Sequence, residues 1–250
     1  MLDLDMVNID NLTKTWNKEA KSYRFDNDIQ VDYLANFYHL ACCFGDPKGK
    51  KSLEVGSGTG LGSAYLASRG AIVHLVDISK QSLKFSKAYF ATKKLTGRFY
   101  EQNAFAMKFP KESFDYVWNG GVIEHFCDEE KILMIKNMWK LVKPGGRLLI
   151  TVPNANDILF MAAKKILEIR KKWAFGSEDD LTVRRVKSLA RSAGIQKFSV
   201  YAYNPVVGIW FFPYGRELTN ILGLNTLKLH KLKSPFGHVI LFCAKKPLKT

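Results

Sequence analysis

The stretch Leu53-Glu54-Val55-Gly56-Ser57-Gly58-Thr59-Gly60 decides the fold, because an apolar run gives way there to glycine at every second position. Residues 51–55 have the composition of a buried strand, and residues 60–68 have a helical pattern. Alternate glycines let the backbone turn tightly and approach a ligand where any Cβ would collide. The stretch predicts a strand, a ligand-binding loop and a helix, the alternative being a tight turn that needs glycine for its own geometry.

Strands and helices alternate from this loop onward. The strands are predicted at 51–55, 71–76, 98–102, 114–118 and 147–152, and the helices at 60–68, 80–93 and 129–141. Parallel strands joined by helices need right-handed crossovers, which place helices on both faces of one sheet. The pattern therefore predicts a doubly wound α/β domain.

The ends of the chain differ from this middle part. Residues 1–47 are predicted as an N-terminal helical lid, and residues 48–250 as the α/β domain. A helix at 181–193 and strands at 197–203 and 238–244 follow the alternating part. The segments 155–176 and 204–236 follow strands, and segments that leave carboxyl ends can overhang a ligand crevice. They are predicted as two insertions that form a cap.

The composition is that of a folded protein. Apolar residues make up 47% and charged residues 24% of the 250 residues, which excludes disordered, collagen-like and coiled-coil chains. The four cysteines show no C-x-x-C spacing, so neither a disulfide framework nor a metal site is expected. The N-terminus lacks the basic start and apolar run of a secretory signal, and the most apolar stretch is too short to cross a bilayer. A cytoplasmic protein is expected.

The charge balance is strongly basic. The chain has 38 Lys and Arg residues against 23 Asp and Glu residues, which gives a net charge of +15. Such a charge attracts polyanions such as RNA or an anionic membrane surface. The basic residues are spread along nearly the whole chain, which favours a generally basic surface. Nucleic-acid binding and peripheral membrane contact stay open as alternatives.

Three residues indicate which nucleotide-like ligand the loop takes. Asp77 ends the second predicted strand, a position that faces the ribose of a ligand lying across the carboxyl edge of such a sheet. Leu61 stands where a dinucleotide-binding loop has its third glycine or alanine. The negative charge of Glu54 would repel a pyrophosphate but suits a ligand that carries a sulfonium and an ammonium group. These residues favour S-adenosylmethionine over NAD.

Five motifs in this order make the chain resemble the class I S-adenosylmethionine-dependent methyltransferases, in the small-molecule group that includes the ubiquinone and menaquinone C-methyltransferases. They are LEVGSGTG, LVDIS, Glu101-Gln102-Asn103-Ala104, FDYVWNGGVIEHFCD and LVKPGGRLLITVPN, and they cover roughly residues 50–153. The resemblance implies a mostly parallel seven-stranded Rossmann-like sheet with an antiparallel last strand at 239–244. It also implies S-adenosylmethionine as cofactor and S-adenosylhomocysteine as product.

The resemblance further assigns residues to the cofactor. Asn103 and Ala104 would hold the adenine, although this sequence has Asn103 where the family usually has Asp, so the contact keeps its oxygen acceptor and loses its charge. Asn119 and Gly120 would lie near the methionine moiety. The full predicted cofactor site comprises Glu54, Gly56, Ser57, Gly58, Gly60, Asp77, Ile78, Asn103, Ala104, Asn119 and Gly120.

Catalysis requires few side chains. Methyl transfer is an in-line displacement, so the site must mainly align the acceptor and exclude water. A general base helps only if the acceptor loses a proton, and His125, preceded by Glu124, is the candidate by position, the alternative being a structural histidine. The other histidines, His39, His74, His230 and His238, are not better placed. In the N-terminal segment, Trp16, Tyr23 and Arg24 either touch cofactor or substrate or anchor their helix.

Both insertions are rich in large apolar residues. In the first, the helical stripe Leu159, Ala162, Ile166, Ile169 and Trp173 lies opposite lysines and arginines. Such a helix can lie on an anionic membrane, roof an apolar pocket or pack as an ordinary surface helix. The second contains the apolar stretch 205–214 and its aromatic residues Trp210, Phe211 and Phe212. The first segment also contains Phe175. The two segments are predicted to form the walls of an acceptor pocket.

The sequence thus predicts a methyltransferase that uses S-adenosylmethionine to methylate a small, partly apolar acceptor. An RNA methyltransferase is the alternative that the net charge suggests, although the chain has no Asn-Pro-Pro-Tyr-type motif and no recognisable RNA-binding module. A non-catalytic, cofactor-binding partner subunit is the alternative from another class. The sequence does not specify the acceptor or the oligomeric state.

Overall fold

The computed structural model describes residues 9–23, 31–173, 176–212, 214–222, 229 and 232–249. Its strands are β1 (Lys51–Val55), β2 (Ile72–Asp77), β3 (Arg98–Glu101), β4 (Phe114–Gly120), β5 (Val142–Pro153), β6 (Ser199–Tyr203) and β7 (Val239–Lys245). They form one seven-stranded sheet in the order β3-β2-β1-β4-β5-β7-β6. β7 runs antiparallel to both of its neighbours, and the other pairs are parallel. The predicted doubly wound sheet with an antiparallel last strand is confirmed.

Helices cover this sheet. They are α1 (Ile9–Glu19), α2 (Val31–Phe44), α3 (Leu61–Ser68), α4 (Lys80–Thr92), α5 (Asp128–Leu141), α6 (Ile158–Ile169), α7 (Val183–Ser192) and α8 (Gly215–Ile221). Short 3₁₀ turns lie at Ala20–Ser22, Ile123–His125 and Val207–Phe211. Among the helices of the described residues, none is long and apolar enough to cross a membrane.

The core lies on both faces of the sheet. Neighbouring strand residues belong to different apolar clusters: Val117 and Leu148 pack with Met134 and Met138 of α5, whereas Trp118 and Leu149 belong to the other cluster. Because successive side chains of a strand point to opposite faces, the two clusters lie on opposite sides of the sheet. The strands are therefore buried on both faces, which explains why they read as nearly continuous apolar runs.

β1 and β4 are adjacent, and from this pair the strand order runs outward in both directions. In open sheets of this kind, such a switch point leaves a crevice at the carboxyl ends of the strands. The loop after β1 therefore opens into that crevice, as the sequence predicts.

Two features differ from the sequence-based expectation. β5 begins at Val142 instead of residue 147, because Pro144-Gly145-Gly146 forms an irregularity within a continuous strand. The predicted stripe of α6 is the exposed face of that helix: Ile166 is 42% and Ile169 is 72% exposed, while Phe160, Ala163 and Lys164 are buried. Lys164 can be buried because it forms ion pairs with Glu178 and Asp180. The polarity of the side chains alone therefore predicted the wrong face of α6 as the buried one.

Candidate active site

A crevice of about 540 Å³ opens at the carboxyl edge of the sheet. Most of the predicted site residues line it, namely Glu54, Gly56, Ser57, Gly58, Asp77, Ile78, Asn103, Ala104, Gly120 and His125. Gly60 and Asn119 are not among the lining residues. The structure therefore brings together all but two of the residues that the sequence proposes.

The glycine loop after β1 turns through left-handed backbone. Gly58 has φ of +48°, and a Cβ there would point towards the Tyr23 hydroxyl at 3.4 Å, on the crevice side of the loop. Gly60 has φ of +72°, but its Cβ would lie 2.9 Å from the Leu75 side chain and 3.0 Å from Ser86. Gly60 is thus required by packing inside the protein, and its assignment to a cofactor contact is not supported by its position.

Asp77 ties the loop to the end of β2. Its Oδ2 accepts a hydrogen bond from the Gly58 N–H at 2.8 Å, and its Oδ1 accepts one from the Ser79 N–H at 2.8 Å. Burial raises the pKa of this carboxyl group, while the backbone N–H groups that it accepts from oppose that shift. Each carboxylate oxygen keeps accepting capacity, which the hydroxyl groups of a ribose can use.

Glu54 is a second buried carboxyl group in the crevice. Its Oε2 accepts hydrogen bonds from the Ser63 N–H at 3.2 Å and the Ser63 hydroxyl at 2.5 Å. Burial raises its pKa to about 8. No Lys or Arg among the described residues forms an ion pair with it. A buried acidic group that faces a crevice without a cation fits a ligand that brings its own positive charge.

The loop after β3 supplies Asn103 and Ala104. The Asn103 Oδ1 accepts from the Phe105 N–H at 2.9 Å, and the Asn103 carbonyl accepts from the Ala106 N–H at 3.0 Å. This turn holds residues 103–105 at the crevice wall, together with Ile78 at the end of β2. The amide oxygen of Asn103 therefore already accepts one hydrogen bond within the protein. Its contact with an adenine amine stays a prediction.

The Asn119 side chain does not point into the crevice, contrary to what its position in the motif implied. It is fully buried, and its Nδ2 lies 3.6 Å from the Met138 sulfur and 3.9 Å from the Met134 sulfur, under α5. Its Oδ1 has no hydrogen-bond partner in the described part of the chain. Successive residues of β4 face opposite sides of the sheet, and the next residue, Gly120, is the one that lines the crevice.

His125 lies in a polar cluster that also lines the crevice. Its Nδ1 lies 3.1 Å from the Ser177 carbonyl, so this nitrogen carries the proton, and Nε2 faces Glu178 Oε1 at 4.0 Å. Burial lowers the pKa of His125. Glu124 is also buried, with its pKa raised to about 8 and one oxygen without a partner in the described residues.

The ligand atoms of Glu124, His125 and Glu178 lie within 4.8 Å of one another, a spacing that could hold a cation. The Lys164 ammonium already lies 3.5 Å from Glu178 and 2.8 Å from Asp180. The cluster therefore contains a permanent positive charge, which opposes the binding of a further one.

By sequence position His238 is no better placed than His125, but the structure places it in the lining of the same crevice. Its Nδ1 lies 3.1 Å from Oδ2 of Asp157, the N-terminal capping residue of α6. The antiparallel register of β5 and β7 pairs Pro153 with Val239, which brings residues 154–157 next to residue 238. Asp157 and His238 are 81 residues apart in sequence, so only that strand pairing could have indicated their contact.

Aromatic side chains line the wall between these histidines. Phe160, Trp173 and Phe211 line the crevice, and the ring of Phe160 packs against the rings of both Trp173 and Phe211. Trp210 does not line it, because its indole N–H donates to Thr219 of α8 at 3.0 Å. Phe175 lies outside the described residues.

The N-terminal segment lies beside the same crevice. The Trp16 ring packs edge-on against His125 with centroids 5.1 Å apart, and Leu12 and Tyr23 also line the opening. Asn17 Oδ1 accepts from the Ser79 hydroxyl at 2.8 Å, which fixes α1 to the turn after Asp77. Arg24 and His230 lie outside the described residues.

The histidines His39 and His74 lie within the core, where each is within hydrogen-bond distance of a tyrosine hydroxyl. His39 Nδ1 is 3.1 Å from the Tyr201 hydroxyl, and His74 Nδ1 is 3.2 Å from the Tyr100 hydroxyl. Neither lines the crevice.

Several known proteins that are similar to this chain are methyltransferases. Residues 53–150 match the family model described as a methyltransferase domain. A ubiquinone biosynthesis O-methyltransferase of Coxiella burnetii is 30% identical over 220 residues, which cover 85% of this chain and 88% of that protein. The corresponding protein of Chromobacterium violaceum is 27% identical, over 84% and 92% of the two chains.

Solved structures share the fold. A phosphoethanolamine N-methyltransferase 2 of Haemonchus contortus in complex with S-adenosyl-L-methionine superposes with a TM-score of 0.70 at 21% identity, covering 97% of this chain and 61% of that one. The glycine loop, the two buried carboxyl groups and the sheet order are consistent with that cofactor. By sequence relatives, family model and fold, the chain belongs to the class I S-adenosylmethionine-dependent methyltransferases.

Proposed function

We propose that this methyltransferase methylates a hydroxyl oxygen of a small, partly apolar acceptor. One observation carries the proposal: a single crevice is lined by Gly58 and Asp77, by an aromatic wall, and by the two histidines His125 and His238. An apolar wall suits a hydrocarbon part of the acceptor, and imidazoles suit an acceptor that must lose a proton. The relatives named as ubiquinone biosynthesis O-methyltransferases support the same class of acceptor.

S-adenosylmethionine supplies a methyl group made electrophilic by its sulfonium centre. On this proposal, Asp77 holds the ribose hydroxyls, Asn103 and Ala104 hold the adenine, and Glu54 balances the positive charge near Gly56 and Gly58. Glu54 suits this role because its carboxyl group is buried and pairs with serine instead of a cation. The chain's part in catalysis is then to orient the acceptor, exclude water and receive a proton.

Three segments would exclude water from the crevice. The predicted N-terminal lid, residues 1–47, includes Leu12, Trp16 and Phe37, which border the opening. The predicted insertions 155–176 and 204–236 contribute Phe160, Trp173 and Phe211. We assign residues 1–47 to a lid and both insertions to a substrate cap on this basis. A cytoplasmic location and a peripheral membrane contact stay predictions.

The alternatives gain less support. An RNA substrate would need a basic, open surface beside the cofactor, whereas the charged groups that line the acceptor end are chiefly acidic, Glu124 and Glu178. A non-catalytic subunit would need neither an aromatic wall nor histidines in the crevice. The sequence relatives are named as enzymes.

Methyl transfer to matched acceptors tests the proposal. The wild-type protein is incubated with methyl-labelled S-adenosylmethionine and 4-octylcatechol, catechol, octylamine or bulk tRNA. We expect labelled methyl ether from 4-octylcatechol, less from catechol, and none from the amine or tRNA. Label on tRNA or on the amine, with none on either catechol, would contradict the proposal.

A further inference from the structure

Asp157 and His238 form a buried dyad that neither the family resemblance nor the cofactor site accounts for. The Asp157 side chain is 4% exposed and the His238 side chain 12% exposed, with 3.1 Å between Oδ2 and Nδ1. The other carboxylate oxygen of Asp157 accepts the Phe160 N–H at 3.1 Å, which caps α6 and fixes the orientation of the carboxylate.

This contact determines the tautomer of the imidazole. A nitrogen that lies within hydrogen-bond distance of a carboxylate carries the proton, so Nδ1 donates and Nε2 keeps its lone pair. Phe160 packs edge-on against the ring with centroids 4.6 Å apart, and Phe211 lies at 5.6 Å. The described residues provide Nε2 with no hydrogen-bond partner, and His238 lines the crevice.

The surroundings leave space for the dyad. A Cβ on Gly208 would lie 2.6 Å from Asp157 Oδ2, so only glycine lets the Val207–Phe211 turn pack against this carboxylate. The capping residue of α6, the turn and the start of β7 therefore meet at one polar pair inside an otherwise aromatic wall.

We propose that His238 is the general base that takes the proton of the acceptor hydroxyl, and that Asp157 is its positioning residue. This inference rests on the proposed O-methylation. As the acceptor oxygen bonds to the methyl carbon, its proton passes to Nε2, and the electron pair of the broken carbon–sulfur bond stays on the sulfur of the product. The Asp157 carboxylate compensates the charge of the imidazolium, which then releases the proton to water.

His125 is less suited to this step. Its Nδ1 bonds a neutral carbonyl, so no carboxylate holds that nitrogen. Its Nε2 faces Glu178, which also pairs with Lys164. In this arrangement His125 and Glu178 suit the binding of an acceptor's polar groups. The titratable groups that line the crevice from the other elements, Glu124, His125 and Glu178, have their ligand atoms within 4.8 Å of one another. Among the described residues, the carboxylate paired with His238 is that of Asp157.

The first test needs no turnover. In ligand-free protein, ¹⁵N spectra of the histidine rings should show the proton of neutral His238 on Nδ1. Asp157→Asn, which retains an oxygen that can cap α6, should remove this preference. A wild-type His238 with its proton on Nε2 would overturn the inference, whether or not any acceptor is methylated.

The second test uses methylation of 4-octylcatechol. We expect His238→Asn to lower kcat by about 10²–10⁴-fold and to abolish the acid limb of the pH profile, with the affinity for S-adenosylhomocysteine unchanged. Asp157→Asn should lower kcat at least about tenfold, and His125→Asn should mainly raise KM. Wild-type kcat and pH profile in a folded His238→Asn would overturn the inference. If the wild type methylates no hydroxyl, the proposed function fails, and the ¹⁵N spectra alone decide the dyad.

Discussion

Two buried carboxyl groups at the cofactor end of the crevice are stabilised in different ways. Asp77 accepts backbone N–H groups from Gly58 and Ser79 on both oxygens. Within the described part of the chain, Glu54 accepts hydrogen bonds from Ser63 alone, and burial raises its pKa to about 8. Asp77 is therefore suited to hold neutral hydroxyls, whereas Glu54 gains its full charge when a positive ligand lies beside it.

The first prediction concerns Asp77. Asp77→Ala removes a charged acceptor from the ribose, so calorimetry should show a loss of about 1.5–3 kcal/mol, or roughly 10- to 150-fold, in S-adenosylmethionine affinity. Asp115→Ala is the matched control, because its carboxylate accepts the Lys51 N–H at the opposite edge of the sheet. Equal affinities for Asp77→Ala and the wild type would refute the ribose assignment.

The second prediction concerns the raised pKa of Glu54. Between an unfolded pKa of about 4.5 and a folded pKa of about 8, the folded protein holds a proton that the unfolded chain releases. The contribution of this group to the free energy of unfolding therefore falls as pH rises, by up to about 1.4 kcal/mol per pH unit. Urea unfolding of ligand-free protein should show Glu54→Gln gaining stability relative to wild type from pH 5 to pH 8. As the control, the free energy of unfolding of the exposed-site variant Glu129→Gln should change with pH in the same way as that of the wild type. If Glu54→Gln also followed the wild type at every pH, the raised pKa of Glu54 would be contradicted.

The sequence was sufficient to locate residues whose position follows from a strand end, and not residues whose position depends on strand pairing. Glu54, Gly58 and Asp77 are fixed by the loop after β1 and the end of β2. Asn119 could not be oriented, because both faces of β4 are buried and apolar, so the pattern does not distinguish them. His238 depends on the register between β5 and β7, which no local signal reveals.

At the scale of elements, the loop after β1 gives the third prediction. Gly58→Val places a branched side chain at φ +48° on the crevice side, so the protein should fold but lose S-adenosylmethionine binding. Gly49→Val is the control, since Gly49 also has positive φ, +71°, but a Cβ there would meet nothing within 4 Å. Calorimetry and thermal melting of both variants separate ligand exclusion from backbone strain. Normal binding by folded Gly58→Val would show that the loop is only a turn.

The turn Val207–Phe211 gives the fourth prediction, because the structure separates two of the aromatic residues that the sequence assigned together to the acceptor wall. Phe211 lines the crevice, whereas Trp210 bonds Thr219 of α8. Burial of an aromatic side chain contributes roughly 1.5–3 kcal/mol, so Phe211→Ala should raise the acceptor KM by about 10- to 100-fold with unchanged cofactor affinity. Trp210→Ala should mainly lower the melting temperature. A larger KM effect for Trp210→Ala than for Phe211→Ala would contradict this assignment of the wall.

At the scale of the whole molecule, one crevice joins segments from most of the chain. The sheet supplies the cofactor end, and α1, α6 and the Val207–Phe211 turn enclose the acceptor end. The exposed apolar residues of α6 and α8, such as Ile169 at 72% and Ile221 at 82%, lie outside this crevice. The catalytic proposal therefore depends on the inner faces of these segments and not on their outer ones.

The most direct test of this account is a crystal structure with S-adenosylhomocysteine and 4-octylcatechol bound together. We expect the ribose hydroxyls on Asp77, the alkyl chain along Phe160, Trp173 and Phe211, and a catechol hydroxyl within hydrogen-bond distance of His238 Nε2. An S-adenosylhomocysteine molecule away from Gly58 and Asp77, or a catechol bound outside the aromatic wall, would contradict the account.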